Sequence, residues 1–486
     1  MGGGLLQLVA HGAQDAYLTG NPQITFWKGL FKRHTNFAME PFRINLTGMP
    51  AWGQKQSATL GRHADLAYST YLSVILPTQA KNASGTLTNI LWNNEQGRLG
   101  YNLLDYVEIE VGGQLIDRLY SEWLYLWDTL TSDYNTSYKL NQNVSGGLAD
   151  DGYTSFPAST SCSNGAPTGR QSQPNLLNVP LPFFYTKNPG AALPLIALQY
   201  HEVKINIQWN KSQFVGHVGS APTGVNAIST LVAPPAPTSV ALYVDYIYLD
   251  VDERRRMAQE SHEYLIEQVQ FNEDKGVSAA SNRIDLTFNH PVKELVWVVQ
   301  PERFTNCKIA EPLNSDGAIS ARVGVPRPTL GRLSPFTYTY LNQAGVSAHT
   351  QPVFEQWLQI NGQDRLDRRY GDYFNKVQPL QHHTGTMKPI GFDSTTAHQG
   401  RFGSSSALPP SHQAIYSYSF ALKPEEHQPS GTCNFSRIDT ATIVMSMSGD
   451  YIIDEATDNN WNVRVYATNY NVLRIMSGMC GLAYSN

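Results

Sequence analysis

The chain has 486 residues, more than the roughly 100–200 of an ordinary domain, so two or three domains are expected. Charged residues make up only 15%, against a usual figure of about 25%, which leaves little repelling surface and suits burial against neighbours. A net charge of −5 gives no electrostatic footprint for a phosphate backbone, so direct nucleic-acid binding is not expected. The 26 Tyr, 18 Phe, 38 Gly and 28 Pro favour strands and turns over helices. No apolar run approaches the roughly 20 residues that span a bilayer, and Met1-Gly2-Gly3-Gly4 opens with no basic stretch, so no secretory signal is expected. Cys162, Cys307, Cys433 and Cys480 are not at metal-ligand spacing and read as free thiols in a reducing compartment.

In chain order, residues 1–32 are Gly-rich and then polar, with scattered apolar anchors such as Leu5, Leu8, Ile24, Phe26 and Trp27. They read as an arm that docks on neighbours, the alternative being a first barrel strand. Residues 107–111 and 114–118 form a predicted hairpin about Gly112-Gly113, because paired glycines accept the positive φ of a tight turn. Residues 131–173 and 212–239 read as long Ser-, Asn-, Gly- and Pro-rich loops. Between them, residues 201–209 alternate Val203, Ile205, Ile207 and Trp209 with polar neighbours, a half-buried strand. Residues 240–249 are apolar on both sides and read as a covered strand. A helix is predicted from Asp252 to about Val269, with acids at its N-terminus and Met257, Leu265 and Val269 on one face. Strands follow over 282–288 and 295–299, then a loop over 311–350. A second hairpin spans 357–368 about Asn361-Gly362, a further loop covers 382–411, and late strands cover 434–447 and 461–465.

The two hairpins begin parallel series. Each is followed by Gln, then Asp-Arg, then aromatics: Tyr120, Trp123 and Tyr125 in one, Tyr370, Tyr373 and Phe374 in the other. Residues 183–189 and 418–424 then precede further strands in the same order. One β unit of about 200 residues used twice accounts for this, and two-layer β units with long end loops point to jelly rolls.

Candidate chemistry is sparse. There is no Gly-x-x-x-x-Gly-Lys loop, no His-Glu-x-x-His and no Gly-x-Ser-x-Gly elbow. Asp250, Asp252 and Glu253 could hold a cation but read better as a strand end and helix start, which also neutralises Arg254-Arg255-Arg256. His382-His383 lacks a third ligand at a recognisable spacing. No catalytic, cofactor-binding or metal residue is assigned.

Long stretches carry a resemblance. They are Gly4-Leu5-Leu6-Gln7-Leu8-Val9-Ala10-His11-Gly12-Ala13-Gln14-Asp15, running on through Gly20-Asn21-Pro22-Gln23-Ile24-Thr25-Phe26-Trp27-Lys28 to Arg33-His34-Thr35-Asn36-Phe37; the linker Asp252-Glu253-Arg254-Arg255-Arg256; Pro429-Ser430-Gly431-Thr432-Cys433-Asn434-Phe435; and the closing Asn469-Tyr470-Asn471-Val472-Leu473-Arg474. These resemble the major capsid proteins of nucleocytoplasmic large double-stranded DNA viruses. The resemblance implies an all-β chain of two tandem antiparallel jelly-roll β-sandwiches (a double jelly roll) joined by a short helical linker. The expected divisions are an arm at 1–32, a first roll at 33–250, a linker with helix at 251–272 and a second roll at 273–486. It implies a structural protein, not an enzyme, with no cofactor. The implied assembly is a homotrimer of pseudo-hexagonal outline, packed with neighbouring capsomers into the icosahedral outer shell of the virion. Minor capsid and penton proteins and, indirectly, an internal membrane are implied partners, and the host cytoplasm the place of assembly. Two other readings stand beside it: a minor or spike jelly-roll capsid protein, and a carbohydrate-binding or hydrolytic β-sandwich, which would need paired carboxylates.

Overall fold

The computed structural model describes residues 3–94, 97–146, 153–156, 175–219, 232–302, 305, 335–336, 338, 340–341, 349–385, 389–390, 411–412, 414–447 and 460–484. Both predicted hairpins form. Gly112 and Gly113 take φ of 59° and 82°, and Asn361 and Gly362 take 50° and 77°. Two successive positive-φ residues give a turn whose twist matches the strands on either side. The closing pairs are Val111 with Gln114 and Ile360 with Gln363.

Eight strands build the first unit: β1 (Phe37–Asn45), β2 (Lys55–Thr59), β3 (Leu66–Ile75), β4 (Leu104–Val111), β5 (Gln114–Tyr120), β6 (Leu176–Pro180), β7 (Val203–Trp209) and β8 (Ser239–Leu249). One sheet runs β1-β8-β3, with β6 on the far edge of β3; the other runs β2-β7-β4-β5. Eight more strands build the second unit: β9 (His262–Val277), β10 (Ser281–Asp285), β11 (Pro291–Pro301), β12 (Val353–Ile360), β13 (Gln363–Asp364), β14 (Ile415–Ser419), β15 (Ala441–Met447) and β16 (Trp461–Met476). Its sheets run β9-β16-β11-β14 and β10-β15-β12-β13. Adding eight to each strand number of the first unit gives the second. Every pairing in these sheets is antiparallel, and in each unit the last strand inserts between the first and third, the jelly-roll topology.

Alternation explains the cores. Leu72, Val74, Leu242 and Val244 of one sheet meet Val107, Ile109, Ile205 and Ile207 of the other, all fully buried. Val296, Val298, Val463 and Val465 with Ile443 and Met445 repeat this in the second roll. A single continuous apolar cluster runs through both rolls.

Two expectations need correction. The helix predicted to about Val269 spans only Val251–Gln259, and residues from His262 on belong to β9. Met257, Leu265 and Val269 share a helical spacing, but unbroken pairing with β16 from His262↔Ile475 to Asp274↔Val463 commits this stretch to a strand. Of the stretch placed in a linker at 251–272, the part from His262 on is therefore strand. The stretch predicted as a loop over 131–173 begins with a helix, Tyr134–Ser145, whose N-cap Asp133 accepts from the Thr136 amide at 2.8 Å. Residues 157–174 lie outside the described residues, as do most of 311–350 and 382–411.

Before β1 the chain forms two short helices, α1 (Gly3–Val9) and α2 (Ala13–Thr19), and adds no strand to either sheet of the first roll. Every residue from Gly3 to Pro41 is exposed.

Candidate functional site: the seam between the rolls

Among the described residues, a set of buried ionic and polar contacts lies where one roll meets the other. Leaving β5, the chain turns into α3 (Ser121–Thr131), which buries Trp123, Leu124, Tyr125, Leu126, Asp128 and Leu130. Glu122 in its first turn suits the positive end of the helix dipole. It points at β16, where Arg464 donates to both carboxylate oxygens at 2.6 Å. The Tyr466 and Tyr338 hydroxyls donate to the same oxygens at 2.7 and 2.9 Å. Burial disfavours the Arg464 charge, but Glu122 more than offsets it and holds the guanidinium firmly protonated. Burial beside Glu122 pushes the Tyr466 phenol well above its ordinary range.

Aromatic packing surrounds this pair. Tyr120 lies 4.8 Å from Phe271 between ring centres, and Trp123 lies 5.5 Å from Tyr466. Tyr125 stacks on Phe336 at 4.8 Å. Such pairs add about 0.5–1.5 kcal/mol each beyond area burial.

Further ionic contacts cross the seam. Glu267 on β9 takes Lys187 of the first roll at 3.0 Å and Lys293 of β11 at 2.7 Å, with Lys293 wholly buried. Burial raises the Glu267 carboxyl, but the two lysines outweigh it and bring it down to about 2. Burial lowers Lys293, and Glu267 only partly offsets this. The Lys187 ammonium also sits 4.3 Å above the Trp127 ring. Asp117 on β5 accepts from the Val269 amide of β9 at 3.1 Å, and burial pushes its carboxyl up to about 7. Gln268 donates to the Ile116 carbonyl.

Two outlying segments clamp the same seam. The Gly385 amide donates to the Leu130 carbonyl at 2.7 Å, and the Thr384 hydroxyl to the Thr131 carbonyl at 3.1 Å. At the other end β17 (Met479–Leu482) pairs with β16. There the Cys480 amide donates to His201 Nδ1 at 3.1 Å, and the Tyr200 amide to the Gly478 carbonyl at 3.0 Å. These contacts make one block of the two rolls.

The candidate metal residues have other work. Asp250 caps the helix Val251–Gln259, and Arg254 pairs with buried Asp65 at 2.9 Å. His382 meets the Leu422 carbonyl, while the buried side chain of His383 lies between Glu425 at 3.1 Å and Glu294 at 3.5 Å. Among the described residues no group of three or more His, Cys, Asp or Glu has a geometry that could hold a metal ion, and no helix is long and apolar enough to cross a membrane. Cys433 and Cys480 are free; Cys162 and Cys307 lie outside the described residues.

Two tandem rolls of identical strand order define a double jelly-roll protein. The same fold recurs in the Faustovirus major capsid protein, at a TM-score of 0.64 and 12% identity over 96% of this chain and 94% of that one. The family model described as major capsid protein N-terminus matches residues 25–250, and that of the large eukaryotic DNA virus major capsid protein matches 253–392 and 404–481. The major capsid proteins of Phaeocystis pouchetii virus and of Paramecium bursaria Chlorella virus 1 are 41% and 38% identical to this chain, each over the full length of both chains. A chain of the PBCV-1 virus capsid superposes at a TM-score of 0.65 with 32% identity, covering 95% of this chain and all of that one.

The chain belongs to the major capsid proteins of the large eukaryotic DNA viruses. It is a structural component of the virion, not an enzyme, and assembles with itself into a capsid lattice.

Proposed function

We propose that the chain forms homotrimers of pseudo-hexagonal outline, which tile the facets of an icosahedral shell assembled in the host cytoplasm. The observation that carries this reading is the strand-for-strand identity of the two rolls. Three copies of a chain with two similar units offer six similar units, enough to fill a six-coordinated lattice position. The seam supports it, because a block with its rolls locked together keeps one outline. Residues 1–32 form an arm that docks on neighbouring capsomers or on the minor capsid and penton proteins beneath. Leu8, Trp27 and Phe31 of the described chain before β1 are 78%, 88% and 86% exposed, which suits side chains that find cover in the assembled shell. The acidic net charge of −5 suits a shell kept from direct contact with the genome, with an internal membrane between. Electron microscopy of the purified protein tests the trimer: particles with a hexagonal outline and the mass of three chains are expected, and monomers or open filaments would refute it.

A further inference from the structure

We infer that His383 is a proton-operated latch on the seam: one added proton on its imidazole ring closes a bond to Glu294 and tightens the strap that ties the second roll to α3 of the first. The latch lies within one chain, so it goes beyond the homotrimer reading and does not depend on it.

The strap runs from Gln378 to Gly385. It opens with the helical segment Gln378–His382 and is anchored on the second roll, where the Ser419 amide of β14 donates to the Gln378 side chain at 3.2 Å. It ends on the carbonyl end of α3. The last carbonyls of a helix have no partner within it and take one from outside. Here the Leu130 carbonyl takes the Gly385 amide, and the Thr131 carbonyl takes the Thr384 hydroxyl. Gly385 lies so close to this helix end that an added methyl would collide with the Leu130 carbonyl. The residue just before these two contacts is His383.

The His383 ring is boxed between two carboxylates, with its side chain 1% exposed. Nδ1 lies 3.1 Å from Oε1 of Glu425, in the turn after β14, and Nε2 lies 3.5 Å from Oε2 of Glu294 on β11. Glu425 also takes the Thr384 amide at 3.0 Å and its hydroxyl at 2.6 Å. Burial raises the Glu425 carboxyl, but the bonds from His383 and Thr384 bring it below its ordinary value. An ionised carboxylate only accepts, so in the neutral ring the proton sits on Nδ1. Nε2 and the Glu294 Oε2 are then left facing each other. Both are buried, and among the described residues neither has a hydrogen-bond partner. Leaving two such acceptors unmatched is costly, and a shared proton removes the cost.

The charged and titratable groups on the surrounding elements have partners of their own. Lys293, next to Glu294 on β11, turns to Glu267 at 2.7 Å. The other Glu294 oxygen takes the Thr468 hydroxyl of β16 at 3.4 Å. Burial, with Glu267 and Glu294 adding to it, pushes the Tyr470 phenol of β16 up to about 12, so it stays neutral. On α3, Asp128 is held by Arg98. His382 meets the Leu422 carbonyl, and Lys423 pairs with Glu426. The one open contact is the one between Nε2 and Oε2. A proton on Nε2 turns it into a charge-assisted hydrogen bond, so the imidazolium is held from both sides and the neutral ring from one. Histidine ordinarily changes charge between about pH 5 and 8. The strap therefore grips α3 more firmly in acid and slackens towards alkaline pH, which gives the seam a stiffness set by the surroundings of the particle.

Asp117 and Glu267 titrate elsewhere in the seam, so the test reads the strap locally. Hydrogen exchange of the full chain is measured at the Thr384 and Gly385 amides and expressed as protection relative to the unfolded chain, which cancels the intrinsic effect of pH. Protection in the parent is expected to be about tenfold higher at about pH 5.5 than at about pH 8. Glu294→Gln offers an amide N–H to the neutral Nε2, so its protection is expected to be high at both. His383→Gln is expected to be low at both, and His382→Gln, which changes only the neighbouring histidine, to keep the dependence of the parent. Circular dichroism and the protection of the β7 amides establish that each variant is folded; if Glu294→Gln is not, His383→Gln decides alone. Equal protection at the two pH values in the parent, or a dependence that survives in folded His383→Gln or Glu294→Gln, overturns the latch. The number of copies in the assembly has no bearing on either result.

Discussion

Glu122 and Arg464, 342 positions apart in sequence, face each other through two bonds of 2.6 Å, with each side chain 11% exposed. The pair joins α3 of the first roll to the last long strand of the second. A buried pair adds little net stability over apolar side chains of equal volume, but removing one partner leaves the other charge stranded. Replacing Glu122 with Gln is expected to cost about 3–5 kcal/mol, since Arg464 keeps Gln300 but loses its only carboxylate in the cluster. Tyr338→Phe, which removes one neutral donor, is expected to cost about 1 kcal/mol. Urea unfolding of the three proteins checks this; equal midpoints for Glu122→Gln and the parent would contradict it.

Asp117 and Glu267 should give the seam opposite responses to pH. The Asp117 carboxyl is raised from 3.8 to about 7, so the folded state binds its proton more tightly than the unfolded chain does. That contribution is fully present below about pH 4 and is lost as pH rises towards 7. Glu267 is lowered from 4.5 to about 2, so its contribution is present above about pH 4.5 and is lost as pH falls through 2. Asp117→Asn removes the first response. The variant is expected to be more stable than the parent at pH 8, by on the order of 2–4 kcal/mol, with the gap closing by pH 4. Denaturant midpoints at the two pH values check it, and a gap independent of pH would rule out Asp117 as the titrating group.

Glu267→Gln leaves wholly buried Lys293 without its 2.7 Å partner. The expected loss is about 3–5 kcal/mol near pH 6. Burial already lowers the Lys293 pKa, and without Glu267 it falls further, so the folded state sheds this proton before the unfolded chain does. The deficit should therefore shrink as pH rises towards 10. Thermal melts of variant and parent across that range decide it: a deficit that grows with pH would show that Lys293 is not the stranded charge.

Much of this arrangement could be read from residue order, and the seam could not. The strand over 203–209 and both two-residue turns follow from local rules, alternation in one case and positive φ at Gly112-Gly113 and Asn361-Gly362 in the other. Alternation says that a strand has two faces but not that a second domain will cover the polar one. Asn462, Arg464 and Thr468 therefore look like the wet side of β16, yet all are buried. The same limit hid Asp117 and Lys293, whose burial comes from residues far away in sequence. The helix overran to Val269 for a related reason, since β9 takes its pairing from a strand some 200 positions on. The one available clue was the repeated Asp-Arg-x-Tyr series, which marks matching positions but not which copy is covered.

Two adjacent glycines in the first hairpin should differ in their tolerance of alanine. At Gly113, φ is 82° and the space around an added methyl is open, so only the left-handed backbone is strained, at about 1 kcal/mol. At Gly112, φ is 59° and the methyl would lie 2.6 Å from His201 Nδ1, the atom that accepts from the Cys480 amide. Gly112→Ala must move that ring and loosen the clamp between the rolls, for about a further 1–2 kcal/mol. Hydrogen exchange at the Cys480 amide separates the two: it is expected to quicken in Gly112→Ala and stay as in the parent in Gly113→Ala. Equal protection in both variants would show that His201 does not couple the hairpin to the second roll.

The arm gives the prediction with the sharpest division between folding and assembly. Every residue from Gly3 to Pro41 is exposed, so the arm contributes no buried apolar area to either roll. Deleting residues 1–20 is therefore expected to leave the melting temperature and the proposed trimer unchanged, because the cost of removing exposed residues is small. The apolar side chains it removes, Leu5, Leu6, Leu8, Val9, Tyr17 and Leu18, are 56–90% exposed, which suits the docking role proposed for the arm. Shell assembly should then fail or yield malformed particles. Particles of normal size and yield from the truncated chain would refute the docking role, and a lowered melting temperature would instead place the arm among the elements that hold a roll together.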